Sequence, residues 1–379
     1  MLRHESRAST LGHIKSSLNL VLFISSIGDS LIGLFIPFIL FRVGYSFTQV
    51  MLFFLITYLA LIPLQWLSLK CIAKYGIEKT ILFSAIPSAL FYILLMFVTS
   101  QFWVLFLISL ISAFADIFFW MPYHFDYLLV TKKEETGASS GSMIGLQIVG
   151  NTLGPVVGGI ILTWWTKNIL ILIAAICSLA YAIPLFANKT DKKIRVPFCA
   201  KVDVNAFAFF CEGVTRASFA VIWPIYLFVS GITVLALGVL YTGARLGVGV
   251  ATTLFGKFTD HHNNNKMFVG FTLASTADYA SRLFLLTPLL VAVVTVLGEV
   301  LFTFMNVPFT KRWLDLAKKN GPQVLVQREI MLNIGRLALV SVVAIIGVQS
   351  ILFACIIGLL LGAIATLGLL FIENPSENR

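Results

Sequence analysis

The sequence predicts an all-α membrane protein: twelve transmembrane helices in two six-helix bundles of the same orientation. Three observations carry the prediction. The 379 residues are 59% hydrophobic and 12% charged, with a mean hydropathy of +0.95, whereas soluble domains carry about 25% charged residues. Apolar stretches near the ~20 residues needed to cross a ~30 Å hydrocarbon core follow one another along nearly the whole chain. Landmarks of the first half also recur in the second at a near-constant offset.

Taken in order, the first apolar stretch, 18–42, is too long for a signal-peptide core and has no small-residue cleavage site after it, so it reads as a retained helix. Spans follow at 47–69, 80–99, 102–124, 142–165 and 168–187. Residues 188–203, NKTDKKIRVPFCAKVD, form the one long polar connector inside the chain and read as a linker. A second set follows at 204–229, 232–255, 267–285, 286–308, 326–347 and 350–372. The domain reading is 1–187, a linker over 188–203, and 204–379.

Adding 187 carries Pro37 to Pro224 and Gly44 to Gly231, and carries the loop beginning at Leu69 onto that beginning at Gly256. After a one-residue slip, 186 carries Pro122 to Pro308, Lys132-Lys133 to Lys318-Lys319, and Leu146-Gln147-Ile148 to Leu332-Asn333-Ile334. One offset holding across these landmarks argues for duplication, and six helices repeated in the same orientation make a parallel repeat about an axis along the membrane normal.

Lys and Arg gather in alternate loops. Arg3, Arg7 and Lys15 are followed by Lys70, Lys74 and Lys79, by Lys132 and Lys133, by the linker, by Lys257 and Lys266, and by Lys311, Arg312, Lys318 and Lys319. The other side has Arg42, Lys167 and Arg282, all at helix ends. By the positive-inside rule both termini are cytoplasmic. The net charge of +10 is this topological signal together with contact with anionic lipid. It does not point to nucleic acid, because no basic stretch is interleaved with exposed aromatics. Cys71, Cys177, Cys199, Cys211 and Cys355 lack CxxC spacing and read as reduced thiols.

The fifth span contains Gly150, Gly154, Pro155, Gly158 and Gly159 in a GxxxGPxxGG pattern. Small residues every fourth position allow close helix approach in lipid, and Pro155 permits a bend. This pattern resembles the signature of the drug:proton antiporter branch of the major facilitator superfamily. That family's GxxxDRxGRR loop is degraded in the first half, where Leu69, Ala73, Lys74, Gly76 and Lys79 stand at its positions. The second-half counterpart keeps Gly256 and Asp260. The resemblance implies a cytoplasmic gate at Asp260, with the acid lying against a helix N-terminus. Where the antiporter branch usually has an Arg in the fourth helix, this chain has Asp116.

Ionisable residues deep in a bilayer cost at least about 2.5 kcal/mol each and are functional candidates. Here they are Asp29 in the first helix, Asp116 in the fourth, Glu212 and Arg216 in the seventh, Arg245 in the eighth, Glu299 in the tenth and Arg336 in the eleventh. The resemblance implies a central cavity lined by helices 1, 4, 7 and 10, which carry the five residues Asp29, Asp116, Glu212, Arg216 and Glu299. Glu212 and Arg216, four apart, are expected to pair on one helix face. Asp29 lacks a basic residue within a turn and corresponds to Arg216 through the repeat, so the two are expected to face each other when the halves close. Alternating access would change the solvation and charge around such an acid, as proton coupling requires. Asp29 is the first candidate, then Glu299 and Asp116. Asp278 and Arg282 are expected to form a peripheral structural pair. Phe118, Phe119, Trp120, Tyr123, Trp223 and Tyr226 are expected at lipid or interface unless some turn toward the cavity, where they would suit apolar or cationic solutes.

These features describe a secondary transporter, proton-driven, that exports a small amphipathic or hydrophobic compound from a cell (inner) membrane and works as a monomer. With no GxxxxGK[ST] sequence, ATP does not drive it directly, and neither cofactor nor metal is called for. Its partners are the solute, protons and the lipid bilayer. Uptake of a sugar or small organic acid is the alternative, favoured if Gln65, Gln147, Asn151 and Asn333 face inward. An enzyme or sensor is disfavoured: the nearest approach to a catalytic pair is His124 with Asp126, and there is no room for a signalling domain.

Overall fold

The computed structural model describes residues 19–130, 145–186, 193–194, 203–259, 264–284 and 287–374. Its first six helices are α1 (Asn19–Val43), α2 (Phe47–Tyr75), α3 (Ile77–Met96), α4 (Phe102–Leu129), α5 (Gly145–Trp164) and α6 (Lys167–Phe186). The second six are α7 (Val204–Val229), α8 (Val234–Thr259), α9 (Asn264–Ser281), α10 (Pro288–Asn320), α11 (Gln323–Gly347) and α12 (Ile351–Phe371). Among the described residues there is no β-strand.

Eleven of these helices are long and apolar enough to cross a membrane; α9 is the exception. It begins with Asn264, Asn265 and Lys266 and carries Asp278, so its hydrophobic run is short. At its buried end it holds a charge pair that the bundle, not lipid, accommodates. α10 runs to Asn320, well beyond the expected end near 308, because Lys311, Asp315, Lys318 and Lys319 continue the helix out of the apolar zone. The Lys311–Asp315 pair, 3.8 Å apart, supports this extension at i,i+4 spacing.

The duplication has a structural signature. α1 breaks from α-helix into a 3-10 turn at Gly33–Phe35 just before Pro37. α7 breaks into a π segment at Ser218–Ile222 just before Pro224. Both helices end on a left-handed glycine, Gly44 at φ 104° and Gly231 at φ 92°, a conformation open to glycine and costly for side-chain-bearing residues. Pro122 and Pro308 sit inside α4 and α10. Local chemistry sets the starts: Ser46 and Gln49 form a capping box on α2, and Asp203, Thr287 and Ser350 cap α7, α10 and α12.

Two helix pairs, α2 with α11 and α5 with α8, join the halves and are related by the repeat. The α5 pattern explains its residue types. A Cβ on Gly154 would run into Ser30 of α1, and one on Gly158 into the Leu31 carbonyl and Phe35 ring. Gly159 faces Val234 and Gly238 of α8 instead. Pro155 lacks an N–H, and the helix is interrupted at Thr152–Leu153. The Val156 N–H then donates to the Thr242 hydroxyl of α8 at 3.0 Å. Across the other seam, the Gln65 amide donates to the Val326 carbonyl at 2.9 Å. At the opposite end of that seam Phe47 lies against Gly347.

Candidate functional site

A cavity of about 230 Å³ lies between the halves, toward the side carrying the Tyr75–Ile77 and Asn320–Gln323 connections, here called the basic side. Helical spacing builds it. Asp116, Trp120 and His124 recur every fourth residue on α4; Asn306, Thr310 and Trp313 form one face of α10; Arg328, Leu332 and Arg336 do so on α11. Leu61 of α2, Gln147 of α5 and Arg216 of α7 complete the walls. Ten of the fifteen lining side chains are polar or charged.

One wall is an ionic network centred on Glu212, which is 3% exposed. Its carboxylate accepts from Arg216 Nε at 2.8 Å, as the i,i+4 spacing predicts, and from Arg328 Nε and Nη2 at 3.0 and 2.5 Å. Arg328 also donates through Nη1 to Glu329 at 2.8 Å and stacks over Trp313 at 4.6 Å. Glu329 reaches across to His124 Nδ1 of α4 at 3.3 Å, which links the two halves. Arg216 donates its Nη2 to Asn306 at 2.9 Å. Asn205 and Gln327 act further out: Gln327 donates to the α7 cap Asp203 at 2.7 Å, and Asn205 accepts from the Glu373 N–H at 3.0 Å.

Asp116 and Arg336 also face the cavity, but outside this network. Among the described residues Asp116 makes no hydrogen bond or ion pair, while Arg336 lies within its electrostatic reach. Arg336 donates to the Asn333 side chain at 3.2 Å and lies over the Tyr58 ring at 5.5 Å, with no carboxylate in ion-pair contact among the described residues. Asp29 accepts a hydrogen bond from the Tyr92 hydroxyl at 3.0 Å and is within electrostatic reach of Asp116. It does not meet Arg216, whose partners are Glu212 and Asn306. The expected Asp29–Arg216 encounter is thus absent from this state, because Arg216 is already engaged within its own half.

Two further expectations change. Glu299 is 1% exposed and lies inside the second bundle, against Arg245 at 3.1 Å, instead of lining the cavity. Asp278 and Arg282 are not peripheral: they are 6% and 0% exposed, joined at 2.8 and 3.0 Å. They pack where Gly298 of α10 offers no side chain. Phe219, Trp223 and Tyr279 surround the Arg282 guanidinium at 5.2, 4.6 and 4.9 Å. An arginine within its own helix's reach of an acid, enclosed by rings, can be kept inside a bundle, so its place near a helix end did not make it external.

Of the aromatic candidates, Trp120 faces the cavity; Phe118, Phe119, Tyr123 and Trp223 are buried between helices. Gln147 and Asn333 line the cavity, whereas Gln65 is wholly buried at the α2–α11 seam. Asp260 lies outside the described residues, as do Cys199 and most of the linker, and Gly256 falls on the last part of α8. The remaining cysteines are free. Sequence reasoning missed Glu329, the second charge of an Arg-Glu pair entering α11, and passed over Asn306 and Trp313. Their signal was the i, i+3, i+4 recurrence of polar residues along α10 and α11.

Residues 18–198 match the family model described as Major Facilitator Superfamily. A search of the curated proteins finds no match. Among solved structures, the chain resembles a bacterial homologue of the iron transporter ferroportin in an inward-facing state. The two share 12% identity and a TM-score of 0.65 over 94% of this chain and 98% of that one. It also resembles the structure of a bacterial metal transporter, at 11% identity and a TM-score of 0.59 over 93% and 97% of the two chains. At these identities the likeness speaks to the fold alone, and it extends that fold through the second half. The first half of this multi-pass membrane protein thus matches the major facilitator superfamily, and the repeated helix breaks and twofold-related seams carry the same fold through the second half.

Proposed function

We propose that this chain is a proton-coupled secondary transporter moving a small polar solute by alternating access, with Asp29 as proton carrier and the central cavity as solute site. The observation that carries the reading is a contrast among the deep acids. Glu212, Glu299, Glu329 and Asp278 each hold an arginine or histidine within ion-pair distance. Asp29 and Asp116 hold none among the described residues, and Asp29 is tied only to a neutral tyrosine. A carboxylate locked to a guanidinium has little reason to exchange a proton; one beside a second carboxylate that has no ion-pair contact does. A proton on Asp29 and a cation near Asp116 would compete, which is the logic of exchange.

The cavity's size and polar lining favour a small polar solute over a bulky apolar one. A metal ion as cargo, suggested by the names of the two structural neighbours, is less well supported: among the described residues no three His, Cys, Asp or Glu side chains come together. Lysine and arginine placement supports cytoplasmic termini in a cell (inner) membrane. We assign the two bundles to 1–187 and 204–379, working as a monomer, with Asp260 and Gly256 as the cytoplasmic latch.

The test is flux into proteoliposomes under an imposed pH gradient. Asp29→Asn keeps shape and hydrogen bonding but removes the titratable proton. It should abolish gradient-driven accumulation while leaving downhill solute exchange measurable. Undiminished accumulation in this variant would move the coupling site to Asp116 or remove proton coupling altogether.

A further inference from the structure

We propose that the solute is a small zwitterion, its cationic group held at Asp116 and its anionic group at Arg336. This rests on the reading of the central cavity as the solute site. The charges around that cavity fall into two sets. Glu212, Arg216, Arg328 and Glu329 are joined by hydrogen bonds of 2.5–3.0 Å, and His124 lies 3.3 Å from Glu329. Asp116 and Arg336 face the same space with no ion-pair contact to each other or to any other described residue.

The guanidinium is held ready for a ligand: its Nη1 is anchored by Asn333 and its face lies on Tyr58. Both anchors are neutral, so its charge remains available. Asp116 projects from α4 and Arg336 from α11, so a solute carrying both charges bridges the two halves. Binding would thereby draw the halves together. Leu61, Ile117 and Trp120 supply the apolar part of the wall, room for a short apolar side chain or methyl groups on a cationic nitrogen.

The alternatives leave a charge stranded. A simple amine would neutralise Asp116 and place its charge in the same small cavity as an unmatched Arg336. A simple carboxylate would do the reverse beside Asp116. When the cavity closes and water leaves, an unmatched charge is costly. A zwitterion of small volume meets both requirements with one molecule. The same geometry disfavours a neutral sugar, which would compensate neither charge.

The probes are glycine betaine and a panel of L-amino acids, each beside its decarboxylated amine and its deaminated acid, with simple sugars as neutral controls. They would be tested on the purified full chain by thermal stabilisation and by counterflow in proteoliposomes. At least one zwitterion should bind and exchange, with both of its singly charged analogues at least tenfold weaker. Asp116→Asn should then bring the deaminated acid to within a few-fold of the zwitterion, and Arg336→Gln should do the same for the amine. Wild-type preference alone decides the matter if a variant does not fold. An amine, acid or sugar moved as well as any zwitterion would overturn the zwitterion while sustaining the transport reading. A protein that moves none of the four classes would overturn both.

Discussion

Replacing Glu212 with Gln should destabilise the second bundle by about 3–5 kcal/mol, the usual cost of removing one partner from a buried pair. The magnitude can be built from its contacts. The carboxylate accepts three guanidinium hydrogen bonds, from Arg216 at 2.8 Å and from Arg328 at 3.0 and 2.5 Å. Such bonds to charged groups contribute about 1.5–3 kcal/mol each, and Gln keeps an acceptor oxygen that preserves part of them. Arg328, 4% exposed, retains Glu329, whereas Arg216, with 27% of its side chain exposed, already faces the cavity and retains Asn306. These routes of relief keep the loss below the sum of the bonds. For a chain of this size the melting temperature should fall by roughly 4–6 °C, read by thermal unfolding of the purified protein in detergent. Pairing Glu212→Gln with Arg328→Met should recover at least about 2 kcal/mol relative to the summed single losses. A Glu212→Gln protein as stable as the parent, or a cycle additive to within about 0.5 kcal/mol, would show that the network is not what holds α7 to α11.

Gly158→Ala should destabilise by about 1–3 kcal/mol through overpacking, since its Cβ would meet the Leu31 carbonyl and Phe35 ring. Gly33→Ala, whose Cβ would meet nothing within 4 Å, should be nearly neutral in the same unfolding assay. Cysteines at Gly33 and Ala220 should crosslink in a solute-dependent way, because α1 and α7 already meet on that side through Phe38 and Phe228, 4.5 Å between ring centroids; crosslinking absent in every condition would show that these faces do not approach. Asp260→Asn, if this acid latches the basic side, should raise labelling of a reporter cysteine near the end of α4 at unchanged expression, and unchanged labelling would remove the gate assignment.

The fold was legible in the sequence because lipid imposes a simple rule: every spanning segment must satisfy its own backbone and present apolar side chains. The 187-residue offset found Pro37 with Pro224 and Gly44 with Gly231, and the structure puts matching helix breaks and left-handed caps at those places. Where spans were misjudged, polarity was mistaken for exit from the bundle. α10 stayed helical past 308 because its charges face water and one another, and α9 kept Asp278 and Arg282 deep because the pair is internally matched. The cavity was legible only in part. Glu212–Arg216 follows from spacing on one helix, but Glu212–Arg328 and His124–Glu329 join residues 116 and 205 positions apart. Helical periodicity orders a face without naming the face opposite. That is also why Glu299, on a helix expected to line the cavity, turned inward to Arg245.

The paired breaks in α1 and α7 wind in opposite senses. Three residues at 3.0 per turn rotate about 60° further than they would at 3.6 per turn, so Gly33–Phe35 overwinds α1. The wider i→i+5 ring at Ser218–Ile222 underwinds α7. Everything beyond each break, from Ile36 to Val43 and from Trp223 to Val229, is therefore phased differently from the stem below it. The breaks thereby set the direction of the tips that carry Phe38, Phe41 and Phe228 apart from that of the charged residues underneath. Changing the pitch of either break would re-aim the tips while leaving the placement of Asp29, Glu212 and Arg216 to the stems.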